Sequence, residues 1–495
     1  MLEQSYEPIV PMNVGNRRAP ARSGHGTHGR EGGNKRTNLL KGDIAGAQNP
    51  IPMTTDINRI AELAKEDPKR QFFSIAHLIT EEKLHAAFRS LRKEASAGID
   101  GVTHEEYATN VEENICQLHR RLVEGTYRSQ PLRRVYVPKE EKGKMRPISI
   151  PALEDKLVQK AAVELMNAIY EQDFLPCSYG FRPGRGQQQA LDEVGRIICS
   201  RSIEWILELD IVAYFDSIVR EQLVEMIEKR IIDGSVLRLI QKWIRAGVME
   251  DGKLLMSETG TGQGQPISPL LANIYLHHVL DQWFEDEVKP RLKGKAYEIR
   301  FADDAILCFQ HREDAEKVLA ALTKRFAKYG LTLHPEKTRL IAFGQQALGK
   351  AKHAGRKPQT FDFLGLTHVC ARSRKGKFTV HVRTKAKRFR RGLKAITEWC
   401  KEHRHKPVAE QQKTLNAKLR GHYQYYGRPT NYRCIRRFYW KVQRIWHYWL
   451  SRRTRGKRMT WERYAEILRL YPLLPPRIMH TWANLGEYRL RNPLR

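Results

Sequence analysis

The sequence predicts an α+β core followed by a separate, strongly basic helical domain. Helical and strand-like patterns alternate through most of the chain without the regular spacing of βαβ units, which favours an α+β arrangement. The character changes near residue 385, because residues 385–460 carry 23 Lys or Arg against three Glu, a net charge of +20. A chain of 495 residues with 41% apolar side chains can form about two to four domains with buried cores.

The overall charge favours a polyanionic partner. The formal net charge of +32 arises from 87 basic and 55 acidic residues, and neutralising phosphates with such side chains releases counterions. A ribosome-associated or merely basic protein is the alternative. The seven cysteines are scattered without a CxxC pair, which excludes a zinc ribbon and suits a reducing compartment. With no signal peptide and no apolar run of transmembrane length, we expect a cytoplasmic protein without a membrane partner.

The first 150 residues predict an extension, then helices, then strands. Residues 1–50 are rich in Gly, Asn, Arg and Pro, so we expect a basic segment that is disordered when free. Ordering on RNA and a tail without function are both open for it. Residues 51–125 have helical spacing, and Thr80 is the expected N-cap of one helix. From Arg133 the pattern becomes β-like, with RRVYVPK and RPISIP on either side of a turn at Gly143.

The remaining core alternates between the two patterns. Helical periodicity recurs in four segments: 154–172, 186–200, 219–247 and 313–329. Strands are predicted in four others: EWILELDIVAYF (204–215), YEIRFADDAILCF (297–309), TRLIAFG and TFDFLGL. GTGQGQPISP (260–269) predicts a loop, and LLANIYLHHVLDQWF after it predicts an amphipathic helix.

Two adjacent aspartates, Asp303 and Asp304, interrupt an apolar pattern. Adjacent carboxylates repel one another, and an apolar setting disfavours their charged forms. One interpretation is turn chemistry, because Asp tolerates tight-turn backbone. The other is a cation site, in which a divalent ion offsets the repulsion. Asp210 is the candidate for a third carboxylate, because it is alone in an apolar segment and an unpaired buried carboxylate is costly.

Three apposed carboxylates suit Mg²⁺. This ion prefers hard oxygen ligands and commonly takes one or two carboxylates together with substrate phosphates. Two ions held in this way activate an attacking oxygen and stabilise a leaving oxygen in phosphoryl transfer. The pattern therefore favours a phosphoryl-transfer site formed by Asp210, Asp303 and Asp304.

Eight sequence blocks follow one another along the chain: SAGIDGVT, VYVPKEEKGKMRPISIP, SYGFRPGRG, LELDIVAYFDSI, GTGQGQPISPLLANIYL, RFADDAILCF, GLTLHPEKT and FDFLGL. In residues and in order, these blocks resemble those of the reverse transcriptases encoded by group II introns, and the resemblance spans about residues 80 to 370. The segment after 385 resembles the thumb and maturase region of that family, best in LNAKLRGHYQYYG. The resemblance implies a right-hand polymerase fold with fingers and palm, followed by an α-helical basic thumb/maturase domain.

The resemblance also implies domain boundaries. We expect a basic N-terminal extension (1–50), fingers (51–200), palm (201–370), a linker (371–384), a thumb/maturase domain (385–460) and a tail that is a candidate for DNA contacts (461–495). Many relatives append a DNA-endonuclease domain with paired cysteines or histidines. No cysteine follows Cys434, so we expect a bacterial-type member that lacks this domain.

Site residues follow from the resemblance position by position. Asp210, Asp303 and Asp304 fall on metal-binding carboxylates for two Mg²⁺ ions, with Ile211 offering a backbone carbonyl. Phe215 falls on the ring that blocks a ribose 2′-hydroxyl, although it could be plain core. The residues expected at the incoming nucleotide are Lys139, Arg146, Gln263, Gly264 and Lys337, with a solvated surface charge as the alternative for Lys139. The residues expected to support the primer end are Phe363, Leu364 and Gly365.

The basic domain supplies the expected RNA contacts. Apolar residues recur at helical spacing between 435 and 449 and predict one buried helix face. The basic residues fall largely on the other faces and are the expected RNA-binding set: Arg436, Arg437, Lys441 and Arg444.

The implied function is an RNA-directed DNA polymerase that binds its group II intron RNA, assists splicing and reverse-transcribes the intron during mobility. The expected partners are intron RNA, target DNA and dNTPs; the oligomeric state, with a dimer as one option, stays open. Three alternatives remain: a domesticated relative in defence or CRISPR adaptation, a splicing maturase without polymerase activity, and an RNA-dependent RNA polymerase. The intact carboxylates argue against the second, and Phe215 argues against the third.

Overall fold

The computed structural model describes residues 55–138, 145–200, 202–250, 252–256, 259–453 and 458–480. The predicted extension (1–50), Lys139 and the predicted turn at Gly143 lie outside these residues. Within them, helices and strands are mixed, in agreement with the predicted α+β class.

Sixteen α-helices and eleven strands form the described part of the chain. The helices are α1 (Thr55–Glu66), α2 (Glu81–Arg89), α3 (His104–Ala108), α4 (Val111–Val123), α5 (Leu153–Asp173), α6 (Gln187–Ser200), α7 (Tyr214–Ser217), α8 (Arg220–Glu228), α9 (Gly234–Arg245), α10 (Ser268–Leu276), α11 (Arg312–Lys328), α12 (Gln345–His353), α13 (Ala386–Glu402), α14 (Val408–Tyr426), α15 (Tyr432–Leu450) and α16 (Trp461–Leu470). The strands are β1 (Leu132–Pro138), β2 (Met145–Ile150), β3 (Trp205–Leu209), β4 (Val248–Glu250), β5 (Lys253–Leu255), β6 (Ala296–Phe301), β7 (Asp304–Phe309), β8 (Arg339–Ala342), β9 (Thr360–Phe363), β10 (Leu366–Arg372) and β11 (Phe378–Thr384).

The N-terminal helices follow the predicted pattern. Thr80 caps α2, because its hydroxyl accepts the backbone N–H of Lys83 at 3.4 Å, as predicted. Helices α1 and α2 pack on the long helix α5, whose apolar residues belong to the largest core. The predicted helical region 219–247 is two helices, α8 and α9, separated by a turn in which Asp233 caps α9.

A four-stranded N-terminal sheet has the order β2-β1-β4-β5. Strands β1 and β2, which correspond to the two predicted β-like segments, pair antiparallel. The hairpin of β4 and β5 extends this sheet, with β4 parallel to β1. Its three-residue strands are too short to give a periodic signal, so the sequence did not predict them.

The central sheet has the order β6-β7-β3-β8 with antiparallel neighbours. Its two faces contact different cores, because successive side chains of a strand point to opposite sides. Leu207 and Leu209 of β3 join the core formed with α5 and α10, whereas Ile206 joins the core formed with α6 and the strands that follow. This burial on both faces explains the continuous apolar runs in the sequence.

The strand predicted over 204–215 was too long, since β3 ends at Leu209. Residue Ala213 has a left-handed backbone (φ 46°), and the chain turns there into the short helix α7. Ile211 and Tyr214 are buried in the core without being part of the sheet. The apolar residues after Leu209 therefore indicate that this segment is buried, but they do not indicate that the strand continues through it.

A third sheet has the order β11-β10-β9. The segment TFDFLGL, predicted as one strand, consists of the whole of β9, a tight turn and the first residue of β10. The predicted linker, 371–384, is also wrong: most of it belongs to β10 and β11, which pair antiparallel. Its many charged residues lie at the strand ends and hairpin tip, which gave the segment the composition of a linker.

The basic helical domain (α13 to α16) has its own apolar core. The predicted buried face of α15 is confirmed, because its apolar residues Ile435, Phe438, Val442 and Trp446 are buried. The four basic residues of the predicted RNA-binding set are exposed: Arg436, Arg437, Lys441 and Arg444. Within the described ranges, no helix has both the length and the apolarity that crossing a membrane requires.

Candidate active site

The Asp pair lies at the tip of the hairpin formed by β6 and β7. Phe301 pairs with Asp304, which leaves Ala302 and Asp303 as a two-residue turn. Ala302 has φ 56°, in the left-handed region that favours glycine in such turns. The turn thus holds Asp303 at the end of the central sheet with a strained residue before it.

Asp210 meets this turn from the neighbouring strand. Leu209 pairs with Ala305, so Asp210, which follows Leu209, lies beside Asp304 at the same end of the sheet. The structure therefore brings together Asp210, Asp303 and Asp304, as the sequence predicted from their chemistry.

The charged forms of Asp303 and Asp304 are disfavoured in this position. Burial raises the pKa of Asp303, and the Asp210 carboxylate adds to this rise, although the charges of Arg146 and Arg300 oppose it. Burial and the neighbouring Asp303 and Asp210 raise the pKa of Asp304 to about 7. Water reaches the Asp304 side chain even though protein atoms crowd around it, which is the situation of a carboxylate in a cleft. Such a group is stabilised in its charged form by a bound cation.

The donor atoms at this point suit Mg²⁺. Besides the carboxylates, the backbone carbonyl of Ile211 is available, because it accepts no hydrogen bond within the described part of the chain. The adjacent groups are engaged: the Asp210 carbonyl accepts the N–H of His334 at 2.7 Å, and the Val212 N–H donates to Thr332 at 2.9 Å. A set made only of oxygens is the chemistry that a hard divalent cation takes.

Cationic side chains surround the carboxylates. The ammonium of Lys337 is 3.5 Å from Asp210 Oδ2, which puts this residue at the site, as expected. Arg146, on β2, lies near enough to lower the pKa of Asp303. Lys385 and Arg388, which the sequence did not single out, oppose the rise in the pKa of Asp304 from the start of α13.

The loop before α10 packs against β2 and α7. The Gln263 carbonyl accepts the N–H of Ser149 at 2.7 Å. Gly264 has φ 119°, and a Cβ atom there would lie 2.7 Å from the Ser149 carbonyl oxygen, so the close approach requires glycine. The Phe215 carbonyl accepts the N–H of Thr261 at 2.9 Å. Phe215, the loop and the strand that carries Arg146 thus form one connected wall.

The expected primer-support block is the turn between β9 and β10. Phe363 pairs with Leu366, and the two turn residues, Leu364 and Gly365, both have positive φ (47° and 72°). The ring of Phe363 is buried in the core, so Leu364 and Gly365 are the residues at the tip. The Tyr425 hydroxyl donates to the Leu364 carbonyl at 3.0 Å and connects the turn to α14.

A buried arginine supports the Asp pair from beneath. Arg300, which is fully buried, donates to the Ala302 carbonyl at 3.0 Å and to Asn273 Oδ1 at 2.9 Å. Its guanidinium also binds both carboxylate oxygens of Asp281, at 2.7 and 2.5 Å. The Asn273 amide donates to the Gly180 carbonyl at 2.7 Å. Arg300 therefore fixes the turn that carries Asp303.

This support was missed by the sequence reasoning. Asn273 is a single polar residue in an otherwise apolar segment, LLANIYL, and this is the signal that identified Asp210. Arg300 and Asp281 have polar neighbours in the sequence, such as Glu298 and Gln282, so the same signal does not mark them.

A second acidic cluster lies under the turn. Ligand atoms of Cys177, Asp281 and Glu298 lie within 4.8 Å of one another. Burial and the Asp281 carboxylate raise the pKa of Glu298 well above its usual range. Since Arg300 already balances the charge of Asp281, the cluster needs no further cation.

The three carboxylates lie in a segment of the chain that matches a known protein family. Residues 137–368 match the family model for reverse transcriptase (RNA-dependent DNA polymerase). Group II intron-encoded protein LtrA of Lactococcus lactis subsp. cremoris is 30% identical over 285 residues, which are 55% of this chain and 47% of LtrA. Protein YkfC of Escherichia coli (strain K12) is 35% identical over 250 residues, 49% of this chain and 64% of YkfC. Nuclear intron maturase 4, mitochondrial, of Arabidopsis thaliana is 30% identical over 147 residues, 30% of this chain and 18% of that protein. The chain thus covers less than two thirds of the length of each of these relatives.

Asp281→Ala should lower the free energy of unfolding by about 3–5 kcal/mol, because it leaves the buried Arg300 without its counter-charge. Denaturant titration measures the change. Asp286→Ala is the matched control, since Asp286 is exposed on the same helical segment and its loss should cost less than about 0.5 kcal/mol. Equal losses in the two variants would contradict the supporting role of the Arg300–Asp281 pair.

Proposed function

The chain carries a reverse transcriptase domain over residues 137–368 and is related to group II intron-encoded proteins, and from this premise we propose that it is an RNA-directed DNA polymerase and maturase of a group II intron. The observation that carries the proposal is the meeting of Asp210, Asp303 and Asp304 at one end of the central sheet, inside the matched domain. In this proposal, residues 51–200 are the fingers, 201–370 the palm and 385–460 the thumb/maturase domain.

Nucleotidyl transfer would take place over the Asp pair. Asp210 and Asp303 would hold two Mg²⁺ ions, with Asp304 and the Ile211 carbonyl completing the set. When bound, Mg²⁺ supplies polarisation of the phosphate oxygens and neutralises charge on the departing pyrophosphate. Arg146 would bind the triphosphate of the incoming dNTP, since its guanidinium offers two parallel donors to phosphate.

Other residues would orient the substrates. Phe215 would exclude a ribose 2′-hydroxyl by shape, and the adjoining loop with Gln263 and Gly264 would contact the nucleotide. Leu364 and Gly365 would support the primer, so that its 3′-hydroxyl faces the α-phosphate. Correct placement of this kind lowers the barrier by removing the entropy cost of bringing the reactants together.

The basic helical domain would bind the intron RNA and assist splicing. On α15, five Arg or Lys residues and no acidic residue accompany the apolar face. Trp440 and Tyr448 on the same helix are exposed, with 58% and 48% of their surface accessible, and aromatic rings beside basic side chains are typical of RNA-binding surfaces. Binding of target DNA, with the 461–495 tail as a candidate contact, and reverse transcription during intron mobility complete the proposal. The proposal also includes a cytoplasmic location.

Asp303→Ala should reduce DNA synthesis on an RNA template in Mg²⁺ by several orders of magnitude, because it removes a ligand of the ions that stabilise the transition state. The fold should persist, since the change relieves repulsion. Primer extension by this variant and by the exposed control Asp286→Ala measures the effect, and melting temperatures verify folding. Extension by Asp303→Ala within about tenfold of the unchanged protein would refute the assignment of the site.

Phe215→Ala should admit ribonucleotides, because removing the ring opens room for a 2′-hydroxyl. Extension with dNTPs and rNTPs, assayed separately, gives the discrimination ratio. Phe215→Tyr keeps the ring and should keep the preference for dNTPs. If the alanine variant retains the same preference, another residue excludes the hydroxyl.

Replacing Arg436, Arg437, Lys441 and Arg444 with Gln should weaken intron-RNA binding and its salt dependence. Each side chain that no longer neutralises a phosphate should flatten the slope of log K against log salt by roughly 0.7 to 0.9. Extension of a short primer–template should fall much less than intron binding and splicing, because the carboxylates are unchanged.

The matched control for this set removes four exposed charges on and after α12, those of Lys350, Lys352, Arg356 and Lys357. It should leave the salt slope of intron binding nearly unchanged. Unchanged RNA affinity in the α15 variant together with a collapse of polymerisation would show that α15 guides the duplex only.

A further inference from the structure

The segment before Phe181 forms an additional edge of the central sheet. Ser178 bridges Arg300 in parallel, on the side of β6 that does not face β7. The Tyr179 N–H donates to the Arg300 carbonyl at 2.8 Å, and the Arg300 N–H donates to the Cys177 carbonyl at 2.9 Å. This segment therefore runs beside the strand that leads into the catalytic turn.

Gly180 touches the turn itself. A Cβ atom at Gly180 would lie 2.2 Å from the Ala302 nitrogen and 2.9 Å from the Phe301 carbonyl carbon, so a larger residue would displace the turn. The Gly180 carbonyl also accepts the Asn273 amide that belongs to the Arg300 network. Phe181 consequently follows a residue in backbone contact with the turn that carries Asp303.

The loop after Gly180 is held rigidly. Arg182 is 7% exposed, and its guanidinium binds Glu171 and donates to the carbonyls of Leu175 at 2.8 Å and Ser178 at 3.0 Å. Arg185 donates to the Pro176 carbonyl at 2.9 Å. The position of Phe181 is thus determined by its neighbours on both sides.

Phe181 itself contributes little to the stability of the fold. Its φ is 56°, a conformation that a bulky residue rarely adopts and that glycine adopts freely, and its side chain is 50% exposed. Five other non-glycine residues in the described ranges have positive φ. Ala302 lies in the turn that carries Asp303, Leu364 lies in the turn between β9 and β10, and Ala213 lies two residues before Phe215, whereas Ser74 and Ser202 lie elsewhere. Strained positions of this kind cluster at functional sites, where the side chain has a use.

We propose that Phe181 is a primer-contacting residue, whose exposed ring packs on the sugar and base of a nucleotide at the 3′ end of the primer. The inference rests on the proposed function, because the reacting 3′-oxygen must lie within reach of the carboxylates on the turn. A ring fixed beside that turn then meets the end of the primer. The contact is independent of sequence, since every base offers a flat face.

The test compares Phe181→Ala, Phe181→Gly and Phe181→Trp in the full chain, with Phe73→Ala as the matched control. Phe73 is 72% exposed and adjoins the junction of α8 and α9 through its neighbour Phe72. A labelled primer–template is the probe for Kd, and steady-state extension gives KM and kcat. Thermal melting is measured for each variant.

We expect the alanine and glycine variants to raise Kd and KM for primer–template by roughly 5- to 100-fold, as removal of one aromatic stack does. The kcat at saturating primer–template should change much less, and Phe181→Trp should bind as tightly as the unchanged protein. The glycine variant should melt above the alanine variant, the reverse of the usual order at exposed sites. A purely structural role would instead lower the melting temperature and kcat together.

A Kd within about twofold of the unchanged protein in both the alanine and glycine variants would overturn the proposal. A higher melting temperature for alanine than for glycine would overturn the backbone argument on which it depends. Failure of the unchanged protein to extend any primer would count against the proposed function alone, because the Kd comparison still decides whether Phe181 contacts nucleic acid.

Discussion

The repulsion among Asp210, Asp303 and Asp304 is the constraint on which the rest of the site depends. Folding brings three carboxylates to one end of a sheet, where burial and proximity raise the pKa values of Asp303 and Asp304. The fold must hold them there without the help of favourable contacts among themselves. Ending β3 at Leu209 and confining Ala302 and Asp303 to a two-residue turn are what place them together.

The stabilisation that the carboxylates lack is supplied by the layer beneath them. Arg300 joins the turn, α10 and the segment before Gly180 through buried hydrogen bonds, and its charge is balanced by Asp281. Buried hydrogen bonds and an ion pair of this kind favour a single geometry, whereas loss of one partner leaves a buried charge unpaired. The site therefore lies on a rigid base, and preorganised ligands need no rearrangement when a cation binds.

The sequence predicted which residues are buried or lie at the site more readily than it predicted where the chain turns and which strands pair. An isolated Asp in an apolar run indicated Asp210, and helical spacing gave the buried face of α15, because both signals report burial directly. The sequence did not predict the end of β3 at Leu209, and it gave a linker at 371–384 where the structure has parts of β10 and β11. Apolar or charged composition does not show where a chain turns or pairs. The Arg300 network joins segments far apart in sequence, so its geometry required the structure.

The central claim is that these three carboxylates hold divalent cations during nucleotidyl transfer. Its most direct test is a crystal structure of the full chain with an RNA template, a DNA primer, a non-hydrolysable dNTP and Mn²⁺, read by anomalous scattering. The account predicts two peaks about 3.5–4 Å apart, both within bonding distance of carboxylate oxygens of Asp210 and Asp303. A bound nucleotide with no anomalous peak at these oxygens would contradict it.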